Sequence, residues 1–161
     1  MRLRNNILAL FFVFSGFLGA GEWTTESAGF DFDPSQGRGT LHGPVTLKSG
    51  GWTFSSSREA LVTAKSRIVR KAGSNAAREY GLLKEPARVV FLGKGRVKNG
   101  NGDTVLEAPF LILSKEDMTV MAKGAGIVVR DGSNKLVSGN DQSGVVVDLV
   151  TGGILHSGPG W

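Results

Sequence analysis

The chain contains no cysteine. Disulfide staples and thiolate metal sites are therefore excluded, and an exported body would have to hold by core packing and sheet hydrogen bonds alone. Histidine is nearly as scarce. His42 and His156 are far apart in sequence, and neither has a carboxylate or second histidine at ligand spacing, so no metal-binding motif is present. No Gly-x-Ser-x-Gly elbow supplies a hydrolase nucleophile. Gly93-Lys94-Gly95 has two of the three glycines of a dinucleotide loop, but it runs between strands where that loop should open a helix. Asp31 to Gly37 has the acids of a calcium loop, yet Gln36 stands where that loop needs Gly and His42 where it needs a bidentate Glu. These absences point away from catalysis, and no catalytic residue, metal ligand or cofactor is assigned.

Aromatic residues are few, at 8% of the chain. Lys and Arg crowd between Arg58 and Lys98, where only Glu59, Glu79 and Glu85 oppose them. That segment holds just Tyr80 and Phe91, too few for a base-stacking face, so nucleic acid is excluded as a partner. The basic segment is read as a solvated face or as a rim for an anionic partner. A long apolar run is also missing. The longest, Ile7 to Leu18, follows Arg2 and Arg4 and precedes Gly19-Ala20-Gly21, the layout of a secretory signal. It is shorter than the roughly 20 apolar residues of a membrane helix. Residues 1–20 are expected to be a signal, with a retained anchor as the alternative.

Glycine is abundant, at 24 of 161 residues, and falls mostly between apolar runs, as it does in a chain of many short strands. A block recurs three times: Gly, Val two residues on, a small polar turn, and an apolar residue eleven places after the Gly. It reads Gly43-Pro44-Val45 with Phe54, Gly95-Arg96-Val97 with Leu106, and Gly126-Ile127-Val128 with Val137. Alternating apolar positions around Ser-Gly-Gly, Asn-Gly-Asn-Gly-Asp or Asp-Gly-Ser-Asn are hairpin signals, and repeated hairpins predict one extended β body with a continuous core. By length it is one domain. Residues 21–40 are expected as an extended lead-in, 41–155 as the β domain and 156–161 as a tail.

The strongest strand pattern is Thr104 to Ser114, with Leu106, Ala108, Phe110 and Ile112 on one face by the period of two. Pro109 inside it implies an edge or a bulge. Ala72 to Glu85 breaks the pattern and reads as a helical turn or an insertion loop. The inward-facing candidates are Val45, Leu47, Phe54, Val89, Phe91, Val97, Leu106, Phe110, Ile112, Val120, Val128 and Val147. Each can be plain core. As a set they can line an apolar slot between two sheet layers, with Arg88, Lys94, Arg96 and Lys98 meeting anionic headgroups.

The run Lys84-Glu85-Pro86-Ala87-Arg88-Val89-Val90-Phe91, then Gly95-Arg96-Val97, then Asp103-Thr104-Val105-Leu106-Glu107-Ala108 resembles the OstA/LptA-like family of lipopolysaccharide-transport proteins. The likeness extends from about Leu41 to Ile154 and departs at Pro109 and at the long connection Ala72 to Tyr80. It implies an all-β fold, an open elongated jellyroll of stacked antiparallel strands, that carries acyl chains in its interior. It further implies a periplasmic location, lipopolysaccharide or another anionic lipid as ligand, and other jellyroll components of the transport bridge, or a homo-oligomer, as partners by strand addition at open edges. The alternative is a non-enzymatic envelope scaffold whose core is closed.

Overall fold

The computed structural model describes residues 12–14, 23–33, 35–64, 66–69, 77–80 and 86–161, and every regular element among them is a β-strand. In chain order they are β1 (Phe12–Phe14), β2 (Trp23–Glu26), β3 (Gly29–Asp33), β4 (Arg38–His42), β5 (Val45–Ser49), β6 (Trp52–Ser56), β7 (Glu59–Ala64), β8 (Ser66–Val69), β9 (Ala77–Tyr80), β10 (Pro86–Asn99), β11 (Thr104–Ser114), β12 (Thr119–Lys123), β13 (Val128–Asp131), β14 (Asn134–Val137), β15 (Gly144–Asp148) and β16 (Ile154–Ser157). All pairings are antiparallel, which is the open all-β jellyroll expected from the sequence. Of the stretch expected as a signal, only Phe12–Phe14 is described, as a strand paired with β2. Ala77–Tyr80, expected in a helical turn or loop, is instead a strand paired with β8.

The hairpin β10–β11 is the spine, and each of its strands serves two layers. The first half of β10 pairs with β7, which pairs with β4 and then β3; its second half, Gly95–Asn99, pairs with β6, followed by β5, β2 and β1. Likewise Thr104–Glu107 of β11 pairs with β13 and then β14, while Ile112–Ser114 pairs with β12, then β15 and β16. The front layer is thus β1, β2, β5, β6, the second half of β10, the first half of β11, β13 and β14. The back layer holds the remaining strands, apart from the separate β8–β9 pair. The three repeated blocks of the sequence are the three front-layer hairpins, each entered from a corner where the chain leaves the back layer.

The corners at Gly43 and Gly93 both stack on the β6–β7 corner, for local reasons. In β10, Gly93 and Lys94 take φ of 70° and 68°, and an extra residue bulges between the pairs Leu92↔Phe110 and Gly95↔Ala108. A bulge bends its strand, and the neighbouring Pro109 has no N–H to continue the ladder. The Ser57 hydroxyl donates to the Gly93 carbonyl at 2.5 Å, and the Ser56 hydroxyl donates to that of Leu92. The space a Gly93 side chain would need is filled by the Arg58 stem, and the Arg58 carbonyl occupies that of Gly43.

The layers close over one apolar cluster. Phe54 of the front layer stacks on Phe91 of the back layer with ring centroids 6.1 Å apart, and both are fully buried. The stretch expected as a lead-in belongs to the sheet, because β2 pairs with β5 and β3 with β4.

Candidate functional site

The candidate site is the interior between the two layers together with its two ends. Val45, Leu47, Phe54, Val89, Phe91, Val97, Leu106, Val120 and Val147 are all buried inside it, as their alternation predicts. Phe110, Ile112 and Val128 are not. Phe110 is 36% exposed, whereas Leu111 and Leu113 are buried. The period of two holds up to Ala108 and slips by one at Pro109, where β11 passes from the front layer to the back. Val128 faces outward because it pairs with the outward Glu107, and its neighbour Val129 pairs with the inward Leu106. Sequence reasoning therefore missed Leu111, Leu113, Ile127 and Val129 as interior residues. Pro109 was the signal that could have located the first pair.

The four basic candidates do not gather at the interior. Arg96 and Lys98 flank the inward Val97, so alternation sends them to the outer face of the front layer, where the Arg96 Nε pairs with the Glu107 Oε1 at 3.2 Å. Lys94 sits on the corner bulge. Arg88 lies on the outer face of the back layer, beside the inward Val89. A headgroup held by these residues would be separated by the sheet from chains held inside.

The side of the sandwich opposite the corners carries the hairpin turns, and there the layers are bridged. The Trp52 indole Nε1–H donates to the Leu149 carbonyl at 2.9 Å, and the Leu149 N–H donates to the Met118 carbonyl at 2.9 Å. Both Trp52 and Leu149 are buried. Trp52→Phe keeps most of the ring but leaves that carbonyl without its donor, and is expected to cost about 1–3 kcal/mol in urea unfolding. An unchanged midpoint would mean that the bridge contributes nothing.

The turn that presents Leu149 is held by Asp148, whose Oδ1 accepts the N–H groups of Thr151 and Val150 at 2.9 and 2.8 Å. These two bonds, Thr151 first, hold the carboxyl below the usual carboxylate range. A depressed folded-state pKa stabilises above the unfolded-state value and is lost as pH falls through the folded one. The turn should therefore loosen only in acid, below the ordinary carboxylate range. Amide shifts of Val150 and Thr151 through an acid titration check this, and Asp148→Ala should abolish the transition.

At the first end, β3 pairs only with β4 among the described residues, and Phe30 stacks on Phe32 at 6.0 Å while packing against the core. At the second end, among the described residues, β14 pairs only with β13 and β16 only with β15. Leu136, Val137 and Leu155 are exposed there at 42, 52 and 68%, and a cavity of about 430 Å³ lies between the two strands, lined by Val129, Leu136, Ile154 and His156 among others. The C-terminal tail folds back on this end. Gly139 donates to the Gly160 carbonyl at 3.1 Å, and the half-buried Trp161 meets the His156 ring edge-on at 4.5 Å. Among the described residues, the back layer thus finishes at β3 and β16 and the front layer at β14 with an edge that no other strand pairs, the arrangement that accepts an added strand.

Comparison with known proteins places this architecture. No family model and no curated protein matches the chain. Among solved structures it superposes on LptH, the LptA-homologous periplasmic component of the lipopolysaccharide transport device of Pseudomonas aeruginosa, with a TM-score of 0.60. The fold is that of an LptA-type jellyroll. The match covers 84% of this chain and 81% of LptH at 11% identity, and at that identity it establishes the fold alone.

Proposed function

We propose that this jellyroll is a periplasmic lipid carrier of the cell envelope, which takes the acyl chains of lipopolysaccharide between its layers and joins partner jellyrolls end to end. The observation that carries the reading is one apolar interior ending, at β3 on one side and at β14 and β16 on the other, in strands whose outer edges are unpaired among the described residues. A chain that passes lipid along a bridge needs both properties. The likeness to LptH supports the same reading at the level of fold. The partners it implies are lipopolysaccharide, or another anionic lipid, and jellyrolls that add a strand to those edges, including further copies of this chain.

The test is co-migration of the purified protein with lipopolysaccharide on native gels. The expected result is a shifted, saturable complex that Leu111→Asp loses while circular dichroism still reports a sheet. Absence of any complex from the folded wild-type protein would refute the carrier. The second reading, a scaffold that works by its edges alone, draws on the packing: Phe54, Phe91, Val120 and Val147 are fully buried, and Trp52 bridges the layers. It predicts assembly without lipid binding.

A further inference from the structure

The outer face of the back layer carries an apolar track that the interior does not account for. Leu61 pairs with Val90, Val90 with Ile112, Ile112 with Met121, Met121 with Val146, and Val146 with Leu155. These six residues form one cross-strand row over β7, β10, β11, β12, β15 and β16, about 24 Å long at the usual strand spacing. Leu61 and Met121 are each 41% exposed and Leu155 68%. The outer face of an antiparallel sheet is ordinarily polar, and the front layer follows that rule along Thr46, Ser55, Arg96 and Glu107 before its row ends in Val128 and Val137. A continuous exposed apolar row therefore marks a binding surface.

At one end the track runs into a cavity of about 1050 Å³, lined by Leu61, Val90, Thr40, Thr63, Arg38 and Arg88 among others. Arg38 and Arg88 both pair with Thr63, one from each side, so they stand two strands apart, about 10 Å, within reach of one anion. Asp31 and Asp33 also line the cavity, Asp33 directly opposite Arg38 in the β3–β4 register, and each has one carboxylate oxygen engaged by another residue. Asp31 Oδ2 meets His42 Nε2 at 2.8 Å, and Asp33 Oδ1 accepts from the Ser35 N–H and hydroxyl at 2.8 and 2.5 Å. Among the described residues neither arginine has an ion-pair partner.

We propose that this face is a second ligand site, for an amphiphile with an anionic headgroup: Arg38 and Arg88 take the phosphate or carboxylate, and the row from Leu61 through Met121 takes the alkyl chain. The row itself lies outside the interior, and the cavity at its end is lined by Phe30 and Val62 from the inner face as well, so the test has to tell the two sites apart.

The test follows the ¹³C-labelled methionine methyl groups while the protein is titrated with dodecyl phosphate below its micelle concentration. Met121 lies in the track and Met118 packs against the core, so the two methyls report the outer and inner sites separately. The expected result is a saturable shift at Met121, with affinity at least tenfold weaker in Arg38→Gln/Arg88→Gln. Dodecanoate should reproduce the shift, whereas inorganic phosphate and dodecyltrimethylammonium should not. A shift confined to Met118 would overturn the outer site while leaving the interior carrier intact. No shift at either methyl, or an affinity indifferent to both arginines, would overturn it as well.

Discussion

Phe54→Ala is expected to lower the stability of the protein by about 3–5 kcal/mol, whereas Phe110→Ala should lower it by less than about 1 kcal/mol. Both positions are phenylalanines in strands with strong alternation, and the difference between them follows from the corner. Phe54 is fully buried and stacks on Phe91 across the layers, so truncation leaves a cavity that two rigid sheets cannot collapse to fill. Phe110 lies just past Pro109, where the alternation has slipped, and is already 36% exposed. Urea unfolding of the two variants reads the difference directly. Equal losses would mean that Phe110 is interior and that the phase slip at Pro109 is wrong.

Gly43→Ala is expected to be at least as damaging, with a loss of about 3 kcal/mol or more, although it adds only one methyl group. A Cβ at Gly43 would fall within the carbonyl group of Arg58, and backbone cannot yield as a side chain can. To relieve the clash, the β4–β5 corner would have to move away from the β6–β7 corner, which breaks the fold between the layers. Gly50→Ala is the comparison: no atom lies within 4 Å of its Cβ position, and its φ of 55° leaves only the backbone cost of about 1 kcal/mol. A thermal melt in which both variants behave alike would contradict the stacked corners.

How much of this was legible in the sequence depends on the range of the interaction responsible. The hairpins were legible because turn chemistry and alternation are local: Ser49 to Trp52, Asn99 to Thr104 and Asp131 to Asn134 each join neighbouring strands. The corners were legible only in part. Pro109 announced a break in strand regularity, but the choice between an edge and a bulge depends on β10, whose extra residue at Gly93-Lys94 lies about fifteen positions earlier in the chain. The third repeat slipped for a similar reason, because the corner at Gly124-Ala125-Gly126 brings Val129 inward where the repeat had pointed to Val128. Ala77–Tyr80 has helix-forming residues, yet pairs with β8; pairing partners override propensity in so short a segment. The tail illustrates the same limit. Nothing local to Gly158-Pro159-Gly160-Trp161 foretells that Gly139 will bond it or that His156 will receive its ring.

The site was legible as a set and not as a surface. Most of the apolar candidates share the interior, because burial follows alternation. The cations do not share one place, because alternation also sends Arg88, Arg96 and Lys98 to outer faces, and those faces belong to different layers. The resulting picture separates what the sequence joined: an apolar interior bridged by Trp52 at the turn side, and cationic groups outside it.

The central claim is that the interior carries lipid in the envelope, and site-specific photocrosslinking in cells tests it most directly. A photoreactive aromatic residue at Trp52, at the turn side of the interior, is compared with one at Lys98, on the outer face of the front layer. The account predicts a lipopolysaccharide adduct from position 52 and none from position 98. A folded, exported protein that gives no adduct at position 52, or gives the same adduct at both, would contradict it.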